Sequence, residues 1–157
     1  MAAESRPDDR TLVMTREFAA PRALVFEAFT TIEHLKHWYA PDGMELDGEV
    51  DFRVGGALRL RMVGFGLDVT ARGVYRDIAS PERIVMAMLF DDVAGVEILQ
   101  TVTLLERAGT TTLTMRMELT PWDRIPAAHH EAIRMRWGGA SVGWSQAMEH
   151  LTKYLTR

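Results

Sequence analysis

The sequence predicts an α+β fold: a strongly curved antiparallel sheet of about seven strands wrapped around one long C-terminal helix, with two short helices between the first and second strands. Three observations carry this. From Asp42 to Thr120, turn signals recur every 8–15 residues, at Gly43, Gly55-Gly56, Gly64 to Gly66, Ser80-Pro81, Asp91 to Gly95 and Ala108-Gly109, which is the rhythm of an antiparallel meander. Within it, Met44, Leu46, Val50 and Phe52 interleave with Glu45, Asp47, Glu49 and Asp51, so one face is apolar and the other acidic. The only long apolar stripe available to cover that face is Trp144, Met148, Leu151 and Leu155, at i, i+4, i+7 and i+11.

The elements follow in chain order. Residues 1–10 are small, polar and charged without a period and are expected to form a flexible tail, leaving 11–157 as a single domain. Thr11 to Phe18 is β-prone, and Pro21 suits the first turn of a helix whose apolar side is Val25, Phe26, Phe29 and Ile32. Thr30 followed by Glu33 resembles a capping box, predicting a second short helix that runs to about Trp38 and stops at Pro41. Six strands then fill 42–120. Across Gly55-Gly56, Arg59 and Arg61 alternate with Leu58, Leu60 and Met62, so both arginines are expected to face the acidic side of the preceding strand. Val102 and Leu104, and Leu113, Met115, Met117 and Leu119, extend the apolar face. Pro126 to Trp137 reads as helical, and Gly138, Gly139 and Gly143 predict a kink or break near Gly138 before the final helix. A curved sheet cannot touch a straight helix everywhere, so a cavity is expected between them.

Composition narrows the function classes. The chain has 157 residues, 47% hydrophobic and 25% charged, enough to bury a full core without disulfides or a structural metal. It has no Cys, which excludes disulfide, thiolate-zinc, iron–sulfur and Cys-nucleophile chemistry. A net charge of −4 argues against nucleic acid as a partner. No apolar run approaches the ~20 residues of a membrane helix, and the first ten residues lack a secretory core, so no membrane insertion and a cytoplasmic location are expected.

Several segments together are similar to a known family. Arg16-Glu17-Phe18-Ala19-Ala20-Pro21, Val25-Phe26-Glu27-Ala28-Phe29-Thr30 and His34-Leu35-Lys36-His37-Trp38-Tyr39-Ala40-Pro41-Asp42-Gly43 resemble the opening of the activator of heat-shock protein 90 ATPase-like (AHSA-type) proteins. These belong to the START/SRPBCC superfamily. Gly55-Gly56, Gly73-Val74-Tyr75, Pro81-Glu82-Arg83-Ile84-Val85, Thr101-Val102-Thr103-Leu104 and Gly143-Trp144 with Leu151 and Leu155 continue the match. The resemblance implies a helix-grip (START/Bet v-like) fold. It also implies a bacterial protein that binds an apolar or amphipathic molecule between sheet and helix, with polyketide-cyclase or hydrolase chemistry and chaperone interaction as alternatives.

The residues themselves favour binding over catalysis. There is no Gly-Xaa-Ser-Xaa-Gly elbow, no His-Glu-Xaa-Xaa-His and no phosphate loop, so no catalytic residue, cofactor or metal is assigned. His34 and His37 beside Glu33, and His129-His130-Glu131, lack a third ligand and read as solvated helix residues. Ten Met residues supply polarizable, adaptable walls. The ligand-binding candidates are Met62, Met86, Met115 and Met148; the rings of Trp38, Tyr39, Tyr75 and Trp144 near the expected opening; and Gln100, whose parity with Val102 and Leu104 puts an amide on the apolar face. The expected partner is an apolar small molecule, with a second copy of the chain or another protein as the alternative.

Overall fold

The computed structural model describes residues 3–4, 10–90 and 93–156. Its strands are β1 (Ala3–Glu4), β2 (Thr11–Phe18), β3 (Glu45–Val50), β4 (Ala57–Gly64), β5 (Leu67–Ala79), β6 (Arg83–Leu89), β7 (Glu97–Arg107) and β8 (Thr110–Leu119). Its helices are α1 (Arg22–Glu27), α2 (Ile32–Leu35), α3 (His130–Gly138) and α4 (Ala140–Leu155). One antiparallel sheet holds every strand, in the order β1-β2-β8-β7-β6-β5-β4-β3. The six strands from β3 to β8 form a meander, and α1 and α2 carry the chain from β2 across to its far edge. Seven long strands and the wrapped C-terminal helix are the architecture expected from the sequence. The flexible tail expected over 1–10 falls outside the described residues, apart from Arg10 and Ala3–Glu4, whose backbone pairs with Thr15 and Met14.

Register follows from alternation. β3 opposes β4 with Asp47 across from Arg61 and Glu49 across from Arg59, and both pairs are ion-paired, at 3.8 and 3.3 Å. A slip of one residue would put these charges into the core. Gly48 occupies the one break in the β3 alternation because a Cβ there would lie 1.8 Å from the Arg59 carbonyl oxygen. At Phe65-Gly66 both residues have positive φ, 53° and 76°, the two-residue turn whose twist matches a hairpin.

The sheet bends at a bulge in β5. Tyr75 opposes Met86 and Asp77 opposes Val85, leaving Arg76 as the extra residue. Tyr75 faces inward on the same parity as Gly73, and Arg76 reaches Glu97 on the outer face at 3.0 Å. Extra local twist of this kind curls a sheet around what it covers.

The helices differ from expectation in detail. α2 is capped by Thr31, whose hydroxyl accepts from the His34 N–H at 3.2 Å; the neighbouring Thr30 hydroxyl instead donates back to the Glu27 carbonyl at 2.7 Å. The capping-box reading is therefore one residue early. The break before the last helix falls at Gly139, beside Gly138 as expected. Between Pro121 and α3 the chain makes two short 3-10 turns, Trp122–Arg124 and Ala127–His129. α4 buries Ala147, Met148 and Leu151 against the sheet. No helix among the described residues is long and apolar enough to cross a membrane.

Candidate functional site

Two spaces lie where the sheet and α4 diverge. The inner one, about 20 Å³, is enclosed by Phe29, Leu35, Trp38, Tyr39, Leu58, Leu60, Tyr75, Met86, Met88, Gln100, Val102, Met115 and Trp144. That is room for about one water. The outer one, about 180 Å³, opens to solvent and is lined by Tyr39, Pro41, Met62, Ala140, Gly143, Trp144 and Ala147. Tyr39 and Trp144 line both, so these two rings stand where cleft and chamber adjoin.

This pair of rings is positioned by aromatic packing. Trp38, 1% exposed, donates its indole N–H to the Ala28 carbonyl at 3.0 Å and stands edge-on to Phe29. This fixes the exit of α2 and presents the next residue, Tyr39, to Trp144. His150 on α4 secures the same segment, with Nδ1 3.3 Å from the Trp38 carbonyl oxygen and Nε2 2.7 Å from the Asp42 carboxylate. The wall carrying Tyr39 and Pro41 is thus attached to the helix it faces. The cleft exists because α4 presents small residues there: Ala140, Gly143 and Ala147 leave a hollow beside Trp144.

Electrostatically the site is neutral. No Asp, Glu, Lys, Arg or His lines either space. Burial pushes the Tyr39 hydroxyl up to about 12, and burial, with the neighbouring Tyr39, drives Tyr75 well above the ordinary range. Both phenols are therefore protonated at neutral pH. The Gln100 amide nitrogen points at two thioethers, Met117 Sδ at 3.3 Å and Met115 Sδ at 3.9 Å, which are weak acceptors.

Of the residues read as candidates, Trp38, Tyr75, Met86, Gln100 and Met115 meet in the inner chamber, Met62 lines the cleft, and Tyr39 and Trp144 line both. Met148 is fully buried under α4 and lines neither. Pro41, Ala140, Gly143 and Ala147 were not foreseen in this role, although small residues at helical spacing are a readable sign of a hollow on a helix face. Outside the site, His34 accepts or donates at Tyr154 Oη, 2.7 Å away, and His37 stacks on the same ring. The described residues hold no group of three or more His, Cys, Asp or Glu suited to a metal.

Residues 19–156 match the family described as Activator of Hsp90 ATPase homolog 1-like protein. No curated protein matches the chain in sequence. Among solved structures, a protein of Chromobacterium violaceum is 27% identical with a TM-score of 0.77, covering 94% of this chain and 99% of its own. A Rhodobacter sphaeroides protein is 23% identical with a TM-score of 0.78, covering 99% and 98%. CalU16 of Micromonospora echinospora shares the fold at 18% identity and a TM-score of 0.65, covering 99% and 86%.

Proposed function

The chain belongs to the Activator of Hsp90 ATPase homolog 1-like family, and from that premise we propose that it binds an apolar or amphipathic small molecule where the sheet and α4 diverge. One observation supports this reading: an open cleft and an inner chamber adjoin at two rings, Tyr39 and Trp144, which line both. Cleft and chamber walls are hydrocarbon, aromatic and thioether, the surface a ligand of this class fills with gain of dispersion contact and release of water. Methionines at Met62, Met86, Met88 and Met115 supply walls that move aside at low cost.

Gly143 gives the direct test. It lines the cleft, and a Cβ built on it meets nothing within 4 Å. Gly143→Trp therefore fills the cleft, while removing a helix-interior glycine raises helix stability by up to ~1 kcal/mol. The expected result is saturable binding of a neutral naphthalene-type dye by the native protein and its loss in Gly143→Trp, with the thermal midpoint kept. Binding that survives the substitution would place the dye elsewhere.

A further inference from the structure

The inner chamber contains hydrogen-bonding capacity that the protein does not use. Tyr75 is 2% exposed and Gln100 4%, and among the described residues no protein group hydrogen-bonds the Tyr75 or the Tyr39 hydroxyl, while neither is among the sealed side-chain atoms that lack a partner, so each hydroxyl opens onto accessible space. The Gln100 amide nitrogen has only the two thioethers. A polar group that a ligand seals off from water must find a partner in that ligand, because leaving it unpaired is costly. Natural cores avoid it unless a water or ligand completes the set. Two hydroxyls without a protein partner and an amide held only by weak acceptors, on β5, the segment after α2 and β7, line one space.

The kind of ligand follows from what these groups are. The two phenol O–H groups and the amide N–H can all donate, and one carbonyl oxygen, with lone pairs for two donors, complements them. A carboxylate would also accept, but it would enter a space with no cation to pair its charge. Size agrees: about 20 Å³ accommodates a single oxygen-sized head, and about 180 Å³ outside takes the apolar body.

We infer that the ligand is a neutral molecule whose buried end is a carbonyl oxygen, received by the Tyr75 and Tyr39 hydroxyls beside the Gln100 amide. The inference rests on the binding function proposed above. The head reaches the chamber between Tyr39 and Trp144.

Three probes of one shape test it: 2-ethylnaphthalene, without an acceptor; 2-acetylnaphthalene, with a neutral carbonyl; and 2-naphthoate, an anion. The expected order is acetylnaphthalene about tenfold tighter than ethylnaphthalene, the gain of one or two buried hydrogen bonds, with naphthoate weakest. Tyr75→Phe should bring acetylnaphthalene down to the ethylnaphthalene level and leave ethylnaphthalene unchanged. The carbonyl stretch of bound acetylnaphthalene should move to lower wavenumber in the native protein and return in the variant. Should Tyr75→Phe not fold, Tyr39→Phe carries the same comparison. Equal affinities for the ethyl and acetyl probes, or tightest binding of naphthoate, would overturn the carbonyl inference and leave the binding site standing. No binding of any probe would remove the site and the inference with it.

Discussion

The rings of Tyr39 and Trp144 stand edge to face, 5.4 Å between centroids with their planes at 89°, and both rings line the chamber and the cleft. Edge-to-face pairs contribute ~0.5–1.5 kcal/mol beyond their buried area, enough to hold the two rings together without fixing them. Trp144 is half-buried, so Trp144→Ala should cost about 2 kcal/mol, less than the ~3–5 kcal/mol of a fully buried ring. The urea midpoint reads the cost. The same variant should join chamber to cleft and bind the neutral dye faster than the native protein, and unchanged dye kinetics would show that the ring is not a barrier.

Trp38 is expected to behave differently from its neighbour. Its ring is fully buried and its N–H satisfies the Ala28 carbonyl. Trp38→Phe loses volume and a donor together, and should cost about 2–4 kcal/mol, read as a lowered urea midpoint. An effect below about 1 kcal/mol would mean the segment after α2 is not anchored through this indole.

The two threonines before α2 separate cap from bystander. Thr31→Ala removes the acceptor for the His34 N–H and should cost about 1 kcal/mol. Thr30→Ala should cost only a few tenths, because its hydroxyl returns to a carbonyl already inside the preceding turn. The reverse order in thermal midpoints would restore the capping box at Thr30.

Alkali should weaken the fold through Tyr39. Its hydroxyl titrates near 12 in the folded chain against 10.0 ordinarily. Above pH 10 the unfolded chain has released a proton that the folded chain still holds, so stability is full below pH 10 and falls as pH rises through 12. Urea midpoints measured from pH 9 to 12 should fall, and Tyr39→Phe should flatten that part of the fall which this hydroxyl causes. A slope identical in the variant would show that the phenol ionises as freely folded as unfolded.

What the sequence made legible was which way residues face. Parity alone put Arg59 and Arg61 on the acidic face of the preceding strand, and the helical stripe put Met148 and Leu151 under α4, because side-chain direction has a fixed period in each element. Glycine composition located the helix break to within one residue. Parity does not carry distance, however. Whether Met115 and Met148 line a space or close it depends on how far α4 stands from the sheet, a distance that no side-chain period encodes. Met148 sits where they meet closely, and Met115 where they part. The bulge has no local sequence signature of its own, so Tyr75 was legible as a candidate but the bend beneath it was not.

The two rings also set a clock. A ligand head that enters between the Tyr39 and Trp144 rings needs one of them to swing aside, so on this route entry waits on a motion of the protein rather than on collision. Observed association rates should then rise with ligand concentration only to a plateau equal to the rate of that swing, alike for every ligand that uses the chamber. Ligands resting only in the cleft would show no plateau, and their rates would climb in proportion to concentration.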